Sequence, residues 1–220
     1  MFLESLESRA LMSASAFSTQ VEIDRLDVRA ALLKFRYDAV TSTATLIADC
    51  SALQAADLKQ DTTLAPLFTA FHKDIKAVRH TLDLDRLNES SAVLKDESII
   101  VAEQAKYVSD SGNETARTAD RIQLRKDRIQ LQTDEIAGLN ARLTTRETEQ
   151  VALTDDLDAI TTALGTDTGG SAALKTAVGN FVTDRTTSLA LFQTDLKSII
   201  AARTQLAADL TASLSSTSST

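Results

Sequence analysis

The sequence predicts an all-α fold, an elongated antiparallel bundle of four long, coiled-coil-like helices, on three observations. Apolar residues recur with 3-4 spacing through nearly all of the 220 residues, the period of one helix face. The six glycines and the single proline fall mostly between periodic stretches: Pro66, Gly112, Gly165, Gly169 and Gly170 mark the breaks. Helix interiors tolerate neither residue well, at about 1 kcal/mol for Gly and about 3 kcal/mol for Pro. Finally, aromatic content is only 4% with no Trp, while Ala, Ser and Thr abound, so stability must come from many small contacts along long helices.

The first helix is predicted over about 20–59, with a seam of Ile23, Leu26, Ala30, Leu33, Tyr37, Val40, Ala44 and Ile47. The second, over about 63–108, opens at Leu64, Phe68, Phe71, Ile75, Val78 and Leu82, with Asp61 or Thr63 as its cap and Pro66 in its first turn. Its leucine pattern then changes phase to Leu87, Leu94, Val101 and Val108, which predicts a kink, stutter or break near 83–91. Ser109–Asn113 reads as a turn. The third helix, over about 114–164, carries Ile122, Ile129, Ile136, Leu139, Leu143, Leu153, Leu157, Ile160 and Leu164, and Gly165 suits a left-handed C-terminal cap. The fourth, over about 171–214, carries Leu174, Val178, Phe181, Phe192, Leu196, Ile199, Leu206 and Leu210. The organisation is therefore an N-terminal segment and linker (1–19), the bundle (20–214) and a Ser/Thr-rich tail (215–220) expected to be disordered, with fraying from Thr211.

Apolar residues two apart point about 200° from one another on a helix. Leu26 with Val28, Leu33 with Phe35, Ile122 with Leu124 and Ile129 with Leu131 therefore need more than one neighbour, which favours a four-helix bundle over a two-stranded coil. The same stretches suggest a duplicated helical hairpin. Asp24-Arg25-Leu26-x-Val28-Arg29 aligns with Asp120-Arg121-Ile122-x-Leu124-Arg125, and Leu64, Phe68, Phe71 and Asp74 align with Leu174, Val178, Phe181 and Asp184. Heptad patterning alone also produces such matches.

The net charge of −8 argues against general nucleic-acid binding, which needs a basic face. One Cys excludes an intramolecular disulfide framework. The longest uncharged stretch, Ala10 to Val21, is shorter and more polar than the roughly 20 apolar residues of a spanning helix, so no transmembrane helix is expected.

Near the N-terminus, Leu6-Glu7-Ser8-Arg9-Ala10-Leu11-Met12-Ser13-Ala14 resembles the LEPR-type motif, Leu-Glu-Pro/Ser-Arg-x-Leu-Leu/Met-Ser-Ala, that opens many exported proteins of planctomycete bacteria. The matching positions are Leu6, Glu7, Arg9, Leu11, Met12, Ser13 and Ala14, with Ser8 in place of the commoner Pro and Met12 of the commoner Leu. The resemblance implies export, to the periplasm or cell surface, and covers nine of the 220 residues. Residues 36–50, with Ala39, Val40, Ala44, Leu46 and Ile47 before Asp49 and Cys50, are also similar to uncharacterised helical proteins of such bacteria. Glu4, Glu7 and Arg9 interrupt what would be the apolar core of an ordinary signal peptide, so a short amphipathic helix and a cytoplasmic address form the alternative.

No arrangement in the sequence reads as catalytic, metal-binding or cofactor-binding. His72 and His80 stand eight residues apart without a zinc-type partner. Cys50 lies beside the first seam and next to Asp49, the wrong electrostatics for a nucleophile. Asp167-Thr168-Gly169 matches the aspartic-protease tripeptide in letters only, and Gly169-Gly170-Ser171 is too short for a phosphate loop. Asp155, Asp156 and Asp158 lack the spacing of a calcium loop. Arg117, Arg121, Arg125, Lys126 and Arg128 form the densest basic patch, interleaved with Asp120 and Asp127, and are a candidate docking patch for an acidic surface. The expectation is a non-enzymatic structural or scaffold protein with a protein partner or self-association. The alternative is a helical adaptor for an envelope protein, polymer or lipid surface, which an exposed apolar patch would favour.

Overall fold

The computed structural model describes residues 16–166 and 170–217. Four helices account for nearly all of them: α1 (Ala16–Ala55), α2 (Leu64–Ser109), α3 (Glu114–Thr166) and α4 (Ala172–Thr217), with a 3-10 turn at Leu58–Gln60 and no strand among the described residues. The protein is an all-α four-helix bundle. The segment 6–14 and the Asp167-Thr168-Gly169 tripeptide lie outside the described residues.

The helix ends follow local chemistry. Asp61 caps α2, its Oδ1 accepting from the backbone N–H of Thr63 (2.9 Å) and Leu64 (2.7 Å). Asn113 caps α3 through Ala116 N–H (3.1 Å), and Ser171 caps α4 through Leu174 N–H (3.1 Å). The left-handed residue between α1 and α2 is Asp57, at φ 58°. Gly165 is not the left-handed cap that the sequence suggests: α3 carries on through it to Thr166. The fourth helix likewise runs to Thr217, beyond the fraying expected from Thr211. There the hydroxyls of Thr211, Ser213 and Ser215 donate to carbonyls of the preceding turn instead of competing with the helix.

The chain divides into two compact units, each built from a segment of all four helices. In the second unit (32–86 and 140–197) lies one apolar core. Leu64, Phe71, Val178, Leu153 and Ile160 are fully buried, and Phe68, Phe71 and Phe181 form an aromatic cluster with ring centroids 5.3 and 5.6 Å apart. Each such side chain contributes about 1.5–3 kcal/mol by burial. The first unit (87–139, 198–217 and the described residues up to 31) buries Val28, Leu124, Leu139, Ile199, Leu206 and Leu210, together with Asp24, Asp96 and Asp120. Its interior is markedly more polar.

Two seams differ from the reading of the sequence. Along α1 the expected seam is exposed: Ile23, Leu26, Leu33, Tyr37, Val40 and Ile47 are 45–71% accessible, and Ala30 and Ala44 are exposed too. The inward face is instead Asp24, Val28, Phe35, Asp38, Leu46, Asp49 and Leu53. Along α2 there is no stutter or break near 83–91. The buried line of Phe71, Ile75, Val78 and Leu82 continues in phase through Asp85, Glu89, Asp96 and Ile100, while Leu87, Leu94, Val101 and Val108 stay outside. Counting leucines misplaced both seams, because aspartates hold the inward positions. At Gly138 a Cβ would stand 2.5 Å from Glu89 Cγ and 2.7 Å from its Cβ, so α2 and α3 approach there as only glycine allows.

Candidate functional site

Polar groups inside the bundle fall into two kinds of cluster. The first is a set of carboxyl pairs across antiparallel helices. In the first unit Asp24 of α1 faces Asp209 of α4, and Asp96 of α2 faces Asp134 of α3. In the second unit Asp49 faces Asp184 and Asp156 faces Asp74 on the same two helix pairs. Asp24 to Asp49 and Asp184 to Asp209 span equal numbers of residues, as do Asp74 to Asp96 and Asp134 to Asp156. The antiparallel register therefore places aspartate opposite aspartate each time. Burial, then the facing carboxylate, pushes Asp49, Asp96 and Asp156 above the usual carboxylate range. Asp24 is raised as well, chiefly by burial, against a hydrogen bond from Gln20 Nε2 (3.0 Å). One oxygen of each of the four is buried without a conventional hydrogen-bond donor.

Other acids have cations. Asp195, 2% exposed, and Asp38 both accept from Lys34 Nζ, at 2.6 and 2.5 Å. Asp120 meets Lys106 Nζ at 3.0 Å, and Glu135 is bound by Arg203.

The second cluster is a cavity of about 350 Å3 in the second unit, onto which all four helices open. Arginines from three helices line it: Arg79 and Arg86 of α2, Arg142 and Arg146 of α3, and Arg185 of α4. Phe35 and Phe192, edge to face at 5.2 Å, form part of its wall, and the Arg146 guanidinium stacks 4.3 Å above the Phe192 ring. Burial and the neighbouring Arg185 bring Arg146 down to about 10; burial and Arg79 lower Arg185. These arginines were missed in the sequence, although there was a signal: Arg185 stands between Phe181 and Leu189 at the heptad spacing of the α4 seam.

The proposed docking patch is divided. Arg117 and Arg121 converge on Tyr107, donating to its hydroxyl at 2.7 Å and at 3.1–3.2 Å, with ring contacts at 4.8 and 5.5 Å. Arg121 foremost lowers the Tyr107 phenol. Arg125 reaches Ser213 O (3.3 Å), Arg128 is half-buried beside a groove with Leu206 and Leu210, and Lys126 is exposed. His72 and His80 are exposed, the former in contact with Phe68 O at 2.6 Å through Nδ1. Cys50 packs against the apolar core, where burial and Asp49 push its thiol up and disfavour the thiolate. Asp155 and Asp158 are exposed, and Asp156 belongs to the pairs above.

Among the described residues no group of three His, Cys, Asp or Glu side chains is placed to hold a metal ion, and no helix is long and apolar enough to cross a membrane. Neither a protein-family model, nor a curated protein, nor a solved structure matches this chain.

Proposed function

We propose that this chain is a non-enzymatic structural protein that acts as a helical adaptor, and that the occupant of its exposed apolar faces is a second copy of itself. The observation that carries the reading is a stripe on α2 in the first unit. Leu87, Leu94, Val101 and Val108 recur every seven residues, each 63–68% exposed, with the small Ser91, Ser98 and Ala105 between them. A second stripe of Leu33, Tyr37, Val40 and Ile47 lies on α1 in the second unit. Large residues separated by small ones at heptad spacing form the knobs and holes that another helix of the same period fills. Exposed patches of this kind mark interaction surfaces, which favours the adaptor over a simple spacer.

A second copy is the occupant because each stripe carries both the large knobs and the smaller residues between them, so the same stripe of another chain is complementary to it. The duplicated hairpin belongs to the same proposal. Asp24 and Asp120, Val28 and Leu124, and Leu64, Phe68 and Phe71 with Leu174, Val178 and Phe181 share burial position by position, and Asp74 and Asp184 both sit in carboxyl pairs. Export to the periplasm or cell surface rests on the resemblance of residues 6–14. Cell fractionation tests it, and a wholly cytoplasmic protein would refute it.

The test of self-docking is light scattering across a concentration series. The wild type is expected to dimerise, and L94E/V101E to remain monomeric with unchanged circular dichroism. A wild type that stays monomeric at every concentration, or a double variant that still dimerises, overturns the proposal.

A further inference from the structure

The arginine-lined cavity of the second unit has no role in self-docking, and its chemistry points elsewhere. Arg79, Arg146 and Arg185 line it together with three carboxylates, Asp38, Asp83 and Asp195. Two of those three are already taken up by Lys34, and the third, Asp83, lies 3.8 Å from Arg86. In a chain of net charge −8 this is a concentrated positive pocket. Arg146 and Arg185 are half-buried, yet neither makes an ion pair among the described residues, and the Nε of each is buried without an acceptor. Holding like charges together away from water costs free energy unless a counter-charge is supplied.

The walls narrow the choice of counter-charge. The Phe192 ring fixes the plane of the Arg146 guanidinium, and a planar fork of N–H donors matches the paired oxygens of an oxyanion. Beside it stand Phe35, Val78, Leu82 and Leu191, an apolar surface next to the charged one. The volume of about 350 Å3 is that of a small-molecule site rather than of a macromolecular groove.

We infer that this cavity is a binding site for a small phosphate monoester, with the dianionic phosphate held by Arg79, Arg146 and Arg185 and an apolar or aromatic body packed against Phe35 and Phe192. A dianion suits the surplus of cationic groups, and the aromatic edge gives a body of that kind a surface that water does not fill well.

The experiment is calorimetric titration of the full chain with phenyl phosphate, inorganic phosphate and phenol as separate probes, repeated in R185Q and in K126Q. Expected are one saturable site for phenyl phosphate, at least tenfold weaker binding of inorganic phosphate, none of phenol, at least tenfold loss in R185Q and no change in K126Q. Affinity should also fall as salt is raised. Should R185Q not fold, R79Q at the exposed rim replaces it, with a several-fold loss expected. Absence of saturable phenyl phosphate binding, equal binding of inorganic phosphate, binding of phenol, or undiminished binding in a folded arginine variant would each overturn the assignment. Because Arg185 and Arg79 lie off the exposed stripes, the dimerisation test and this one fail independently.

Discussion

Asp49 of α1 and Asp184 of α4 meet carboxyl to carboxyl inside the second unit, and Asp49 Oδ2 is buried with no donor other than a shared proton to satisfy it. Three further pairs repeat the arrangement. Two ionised carboxylates in such a position repel one another, so one proton held between them is the favourable state.

That makes stability depend on pH in a direction opposite to ordinary acid denaturation. The folded pKa of Asp49 is raised, so the native state binds more protons than the unfolded chain between the usual carboxylate value of 3.8 and the raised one. The stabilisation is complete below that ordinary value and is lost as pH rises through the raised one. D49N, which imitates the protonated acid, is therefore expected to melt higher than wild type at pH 7. The gap should close as pH falls toward 4. Melting curves at several pH values check this, and a gap that widens on acidification contradicts it.

Phe71 is fully buried, edge to face with Phe181, and Arg185 lies 6.0 Å from its ring. F71A should cost about 3–5 kcal/mol, whereas F71L, which keeps most of the volume, should cost much less. Urea denaturation with constant m-value measures both.

Two glycines inside helices should respond with opposite signs. Gly179 has open space around a new Cβ, so G179A should stabilise by roughly 0.5–1 kcal/mol through helix propensity. At Gly138 the same propensity gain is outweighed, because a methyl group would collide with the near end of the Glu89 side chain. Overpacking of this kind costs about 1–3 kcal/mol, so G138A should lower the melting temperature.

The misplaced α1 seam has its own consequence. Leu33 is 56% exposed and Leu196 only 1%. L33D should leave circular dichroism and monomer stability nearly unchanged, while L196D, burying an unpaired charge, should cost several kcal/mol and unfold the second unit. Equal damage from the two substitutions would show that the α1 face is buried after all.

The sequence by itself determined the fold class, the four helices and most of their ends. Those features rest on local physics: the 3.6-residue period, the capping oxygen of Asp61, and the cost of Gly and Pro within a helix. It also placed the seam of α4 and the first half of α2, where Phe68, Phe71, Val178 and Phe181 leave one choice of inward face. Tertiary structure alone decided which face of α1 turns inward. That helix carries two competing stripes, Leu26 to Ile47 and Val28 to Leu53, and the rotation of a helix is fixed by its neighbours rather than by its own periodicity. Tertiary structure likewise set the carboxyl pairs and the arginine cavity. Their members stand far apart in the chain, and only the packing of antiparallel helices brings Asp24 to Asp209 or Arg146 to Arg185.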